Sequence, residues 1–185
     1  MTWQLPVPGA HYPTSGSRAF GVLRGTRLHQ GVDLFAREGS PIYAVDGGWI
    51  DRASSTWEPG FSGYGRFVVL RSDLGPWVLY SHLDQVLVRR GQRVRPGQQL
   101  GTVGRTKFTR ADKSALFSTS DPHLHLEVSP NRYPQASIAA RLDPAPFFRP
   151  GVEPRITVAG SASPLVLGAG IVLAGGLALA VARAS

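Results

Sequence analysis

The sequence predicts a mostly β domain built on an antiparallel sheet, followed by a C-terminal transmembrane helix. Three observations predict it. Between residues 40 and 105, short apolar runs are punctuated by Gly and Pro with no sustained 3.6-residue periodicity. Around 121–128, His123 and His125 alternate with Leu124 and Leu126, so a strand would put the two imidazoles on one face and the two leucines on the other. Leu165 to Ala182 is a run of 18 apolar or small residues without a charge. As a helix rising ~1.5 Å per residue it is just long enough to cross a bilayer core of ~30 Å.

Taken in order, residues 1–16 are rich in Pro, Gly and Ser and lack a charged segment followed by an apolar one, so no secretory signal peptide is expected. His11 lies here outside any motif and reads as a surface or packing residue, or as a cover over a metal. Residues 17–34 read as a turn entering a short strand. His29 and Asp33 are four apart, which would align them on a helix, but Gly31 and the β-branched Val32 favour a loop or strand. Strands are expected over 41–45, 48–51, 67–71, 77–82, 86–89 and 99–103. Residues 54–64 form a loop whose Trp57 and Phe61 either wall a groove or simply pack. Arg89, Arg90, Arg93 and Arg95 read as a solvated hairpin tip rather than a binding patch.

Prolines at 130, 134, 144, 146 and 150 close the domain near Pro150. The expected organisation is a domain over 1–150, a linker over 151–163 and a membrane helix over 164–183. A buried core helix is the alternative, but a helix apolar on every face after a completed domain has nothing obvious to bury against. Gly168, Gly175, Gly176 and the Ala174/Ala178 pair would permit close helix pairing, and hence an oligomer through the tail.

The chain of 185 residues fits one domain with an appendage. It has no cysteine, which excludes disulfides and thiolate metal sites and leaves only nitrogen and oxygen ligands. The net charge of +8 suits an anionic partner such as a cell-wall polymer, lipid headgroups or nucleic acid, or simply solubility. Of the five histidines, two form His123-x-His125, one opens His29-x-x-x-Asp33 and one lies in Tyr80-Ser81-His82-Leu83. A His-x-His strand reads equally as a hydrogen-bonded polar patch and as a chelating pair. One carboxylate with two or three imidazoles is the set that a catalytic zinc site needs, with a fourth position left open.

These segments resemble the lysostaphin-type zinc endopeptidases of bacterial cell walls, the M23 or LytM-like family. The resemblance is carried by Arg27-Leu28-His29-Gln30-Gly31-Val32-Asp33, by Gly39-Ser40-Pro41-Ile42-Tyr43-Ala44-Val45-Asp46-Gly47 and by Tyr64-Gly65-Arg66-Phe67-Val68-Val69-Leu70. It continues through Tyr80 to Leu83, the glycine turns of 91–101 and Pro122-His123-Leu124-His125, and ends in Asp143-Pro144-Ala145-Pro146-Phe147-Phe148. It covers residues 17–148 in order. The resemblance implies a LytM-like sheet, with zinc held by His29, Asp33 and His125. His123 and His82 occupy the family's two further histidine positions, His123 as general base and His82 as hydrogen-bond donor to the developing oxyanion. The implied substrate is a peptide cross-link of peptidoglycan, and no nucleic acid is expected as a partner. The chain departs from the family pattern in the extra residues 107–120, expected to form a loop beside the site, and in Asp121 where a small glycine is usual.

A C-terminal span without a signal peptide would leave the domain in the cytoplasm, away from peptidoglycan. Packaging in a virus particle or viral membrane resolves this, as a lysin acting on entry or exit; an unusual export route for an envelope enzyme is the other resolution. Two rival readings are a metal-free binding or activating module of the same family and a structural membrane protein of a virion.

Overall fold

A computed structural model of the chain describes residues 3–108, 117–133, 140–148, 155–158 and 165–166. Its strands are β1 (Leu23–Arg24), β2 (Arg27–Leu28), β3 (Val32–Phe35), β4 (Pro41–Tyr43), β5 (Gly48–Ser54), β6 (Arg66–Ser72), β7 (Trp77–Val86), β8 (Arg93–Val94), β9 (Gln99–Lys107), β10 (Phe117–Ser129), β11 (Ala140–Leu142), β12 (Arg155–Val158) and β13 (Leu165–Val166), with one short helix, α1 (Ala145–Phe148). β1 and β2 form a separate hairpin. The others form one antiparallel sheet in the order β13-β12-β11-β10-β9-β7-β6-β5-β8, with β3 added on β10 and β4 on β9.

Alternation decides what each face does. Val68 and Leu70 of β6, Val78 and Tyr80 of β7, and Leu124, Leu126 and Val128 of β10 turn to the main core. The N-terminal segment closes that core, with Trp3 stacked on Phe147 of α1 at 4.4 Å between ring centroids. On the opposite face a smaller cluster joins Phe61, Phe67, Val69, Leu79 and Tyr133. Phe61 lies flat on Phe67 at 4.1 Å, so of its two expected uses the structure displays packing.

Two strands change partner midway. The first part of β7 pairs with β10 and its last part with β9, while β10 pairs with β9 up to His123 and with β7 from His125 onward. The switch in β7 occurs at His82, which has φ 64° and is the extra residue between the Ser81–Phe67 and Leu83–Arg66 pairs. A bulge of this kind removes a residue from the ladder and re-aims its side chain.

Several expectations are corrected. The transmembrane helix is not found: no helix among the described residues is long and apolar enough to cross a membrane. Leu165 and Val166, at the start of the expected span, instead pair as a strand with Arg155 and Ile156. The physical reason is that a run apolar at every position carries neither a 2- nor a 3.6-residue period, so composition alone cannot separate strand from helix. The rest of that span, 167–183, and the oligomer expected through it lie outside the described residues. The expected strand over 86–89 is only the end of β7 at Val86. At residues 107–120, β9 and β10 lengthen into a hairpin with Lys107 opposite Phe117, so part of the extra segment is strand; 109–116 lie outside the described residues.

Candidate metal centre

Asp33 and His125 are direct partners in the β3–β10 ladder, a geometry that places two side chains side by side on one face. His29 belongs to the turn leading into β3, held by hydrogen bonds between its backbone and those of Gly21 (2.7 Å) and Val22 (2.8 Å). Gly31 lets that turn lie against β10: a Cβ there would sit 2.9 Å from His125 Cε1 and from Glu127 Cγ, and closer still to the Leu126 carbonyl. Gly31→Ala is therefore expected to push the turn off β10, to destabilise the domain by ~1–3 kcal/mol as overpacking does, and to lower zinc occupancy. Thermal melting and metal analysis read this, and a variant unchanged in both would refute the packing argument.

Three buried donor atoms come together. His29 Nε2 lies 3.1 Å from His125 Nδ1 and 3.2 Å from Asp33 Oδ1, and His125 Nδ1 lies 2.8 Å from Asp33 Oδ1. A tetrahedral ion with bonds of ~2.0–2.1 Å separates its ligands by ~3.3 Å, so this triangle fits zinc after a slight expansion. Each donor is also held from behind. His29 Nδ1–H donates to the Ala19 carbonyl at 2.8 Å, and His125 Nε2–H donates to Glu127 Oε1 at 3.0 Å. Arg24 pairs with the outer oxygen Asp33 Oδ2 at 2.5 Å. Such backing fixes which imidazole nitrogen faces the ion.

Burial would raise the Asp33 carboxyl, but hydrogen bonds and charge from His125 and His29 bring it well below the usual carboxylate range. Burial likewise opposes a charge on His125, and its hydrogen bonds to Asp33 and Glu127 outweigh this, raising its pKa to about 9.

His82 and His123 stand beside this triangle, with ring centroids 4.8 Å apart. His82 Nδ1–H donates to the Thr106 carbonyl and His123 Nδ1–H to the Asp121 carbonyl, each at 2.8 Å. In the neutral rings both Nε2 atoms are therefore bare. His123 Nε2 lies 3.8 Å from Asp33 Oδ1, and Phe35 stacks on the His123 ring at 5.2 Å. Burial, then repulsion from His125 and His123, lowers His82 to about 3; burial also lowers His123. Of the five residues singled out in the sequence, Asp33, His82, His123 and His125 line one cleft of about 650 Å³, walled by Tyr64 and by the cations Arg18, Arg24 and Lys107; His29 is buried and joins them through His125 and Asp33. His11 is exposed and does not line it.

Sequence reasoning assigned no role to Glu127. It is buried and accepts four hydrogen bonds: from His125 Nε2 (3.0 Å) and Tyr64 Oη (2.8 Å) on Oε1, and from Tyr133 Oη (3.1 Å) and Arg141 Nε (2.7 Å) on Oε2. Its i+2 position after His125 was a usable signal for the shared face. Nothing local announced Tyr64, Tyr133 and Arg141.

Residues 27–137 match the family model described as Peptidase family M23. The DD-carboxypeptidase/endopeptidase Mpg of Neisseria meningitidis is 33% identical over 127 residues, covering 69% of this chain and 26% of that protein. The Escherichia coli murein hydrolase activator NlpD is 28% identical over 127 residues, covering 69% and 28%. The chain spans between about a fifth and a third of the first curated relatives it matches, 22% to 34% of their lengths. Among solved structures, the catalytic domain of lysostaphin from Staphylococcus simulans superimposes with a TM-score of 0.57 at 28% identity, covering 72% of this chain and 90% of that one.

Proposed function

From the premise that this chain belongs to peptidase family M23, we propose that it is a zinc-dependent endopeptidase cutting peptide cross-links of bacterial peptidoglycan in the cell envelope. The observation that carries this reading is the buried triangle of His29 Nε2, Asp33 Oδ1 and His125 Nδ1, with sides of 2.8 to 3.2 Å, facing a cleft that also holds His82 and His123. In this proposal the triangle holds the metal. When bound, zinc supplies Lewis acidity, which makes water acidic near neutral pH and polarises a carbonyl oxygen.

The chain's own residues do the rest. His123, with its Nδ1–H tied to a carbonyl, offers a bare Nε2 that takes the proton of the attacking water. Once protonated, that same nitrogen donates to the departing amine. His82, kept neutral by burial and with its Nδ1–H on the Thr106 carbonyl, presents a bare Nε2 that accepts a hydrogen bond and so orients the attacking water. The donor role that the resemblance implies for it would require a second proton, which repulsion from a protonated His123 opposes. Arg18, Arg24 and Lys107 at the rim attract the carboxylates of a stem peptide. The virion setting expected above depended on the membrane span, which the fold does not support, and is not part of this proposal.

The test is metal content of the full chain and cleavage of a soluble cross-linked muropeptide, with and without chelator. About one zinc per chain with chelator-sensitive cleavage supports the proposal; metal-free protein that cleaves nothing refutes it. A second reading, activation of a separate murein hydrolase, is favoured by the similarity to NlpD, whose name records that role. Stimulation of an added murein hydrolase by chelator-treated chain would favour it.

The site also predicts a pH dependence. Zinc-free His125 is protonated below about 9, and binding must displace that proton. Apparent zinc affinity is therefore expected to rise with pH by about tenfold per unit up to that value. Competition against a chromophoric chelator from pH 6.5 to 8.5 measures it, and a flat profile would contradict the proton exchange.

A further inference from the structure

The sheet face that carries the metal centre continues beyond it. His125, Glu127 and Ser129 project to one side of β10. In the ladders, Ser129 lies opposite Trp77, Trp77 opposite Arg71, Arg71 opposite Trp49, and Trp49 opposite Arg93. Five strands therefore set Arg93, Trp49, Arg71, Trp77 and Ser129 in one row, cations alternating with indoles. The Arg93 guanidinium lies 5.8 Å from the Trp49 ring centroid, and that of Arg71 lies 6.0 Å from the Trp77 centroid. Arg90 and Arg132 rim the same groove, of about 400 Å³.

Two features of the row exceed what packing needs. Neighbours on the same face are covered, Phe67, Val69 and Leu79 by Phe61 and Tyr133, whereas Trp49 is 52% exposed. Arg93 is paired with Asp73 at 2.6 Å and Arg132 with Asp51 at 2.8 Å. Among the described residues Arg71 and Arg90 have no carboxylate partner, so the groove keeps a positive surplus. The arginines read from the sequence as a solvated tip thus contribute Arg90 and Arg93 to an aromatic surface.

We propose that this row is a second binding surface, for an anionic glycan strand. Indole faces stack on the apolar faces of sugar rings, and guanidinium groups take carboxylates. Tryptophan and arginine are also the side chains that carry most binding energy at interfaces. Trp49 and Trp77 stand two strand spacings apart, ~9.5 Å, a separation on the scale of a disaccharide. The exposed row ends at Trp77, whose ladder partner on β10 is the buried Ser129, four residues from His125, or ~14 Å at the strand rise of ~3.4 Å per residue. A glycan strand held on the row through muramic acids whose lactyl carboxylates are free can therefore present the peptide carried by a neighbouring muramic acid to the metal centre. The choice of glycan over other polyanions rests on the peptidoglycan reading of that centre.

The experiment measures binding of the full chain to peptide-free glycan strands of peptidoglycan, which keep the lactyl carboxylates of muramic acid and hold no bond for a peptidase. Trp49→Ala and Arg71→Gln alter exposed side chains and spare Trp77, which packs against the Phe61 cluster. Each is expected to weaken glycan binding about tenfold, equivalent to ~1.4 kcal/mol, with melting temperature and cleavage of a short soluble cross-linked peptide unchanged. Glycan affinity indifferent to both substitutions overturns the proposal. An equal loss for single-stranded DNA also overturns it, in favour of unselective polyanion capture. Glycan binding that depends on the row in a chain that cleaves no peptide would remove the hydrolase and leave the surface; cleavage with row-independent glycan binding would do the reverse.

Discussion

His123→Ala is expected to retain zinc at about one ion per chain while peptide hydrolysis falls by ~10²- to 10⁴-fold, the usual worth of a positioned general base. The ring touches the donor triangle only through the 3.8 Å approach of its Nε2 to Asp33 Oδ1, and its other nitrogen is engaged by the Asp121 carbonyl. Its removal leaves the three proposed ligands and their backing groups in place. His29→Ala is expected to lose metal and hydrolysis together, because it deletes one corner of the triangle and leaves the Ala19 carbonyl without its 2.8 Å donor. Metal analysis and cleavage assays on the two variants separate the roles. Equal loss of zinc in both would mean that His123 is a ligand and not the base.

Glu127→Ala is expected to be the most destabilising single change, at ~3–5 kcal/mol, the range for breaking a buried ion pair. That is a large share of the ~5–15 kcal/mol that holds a domain folded. The carboxylate satisfies the buried Arg141 guanidinium and the hydroxyls of Tyr64 and Tyr133, all of which would lose a partner at once. Glu127→Leu combined with Arg141→Met is expected to recover much of the loss, since no orphan charge remains. The same carboxylate orients His125, so zinc affinity of the single variant should fall by ~10–100-fold. Burial alone would raise the Glu127 carboxyl, but hydrogen bonding and charge from His125 and the Arg141 charge lower it to about 2. With a depressed folded-state pKa, its contribution is full above the ordinary carboxylate range and is lost as pH falls through about 2. Urea unfolding of the zinc-free chain measures both effects. A single variant as stable as the parent would show that the network is replaced by water.

Much of the candidate site was legible in the sequence because strands encode which side chains share a face. His123 and His125, two apart, had to project together, and Gly31 with Val32 between His29 and Asp33 favoured a loop or strand over a helix. The resemblance then joined segments that periodicity leaves separate. What stayed illegible depends on pairing. The bulge that gives His82 its φ of 64° arises where β7 leaves β10 for β9, and no residue near position 82 announces that exchange. The apolar run from Leu165 failed for the opposite reason, since uniform hydrophobicity has no period to read.

By itself the sequence determined the antiparallel β character, the nitrogen and oxygen donor chemistry forced by the absence of cysteine, and the face on which each strand residue lies. Only the tertiary structure decided which faces meet. Tyr64 reaches Glu127 across 63 positions, His125 Nδ1 turns inward because its other nitrogen is held, and Trp49, Arg71 and Trp77 align because three strands lock in one register. The physical reason is that alternation is a local property of a strand, whereas register is set by hydrogen bonds and side-chain packing between strands far apart in the chain.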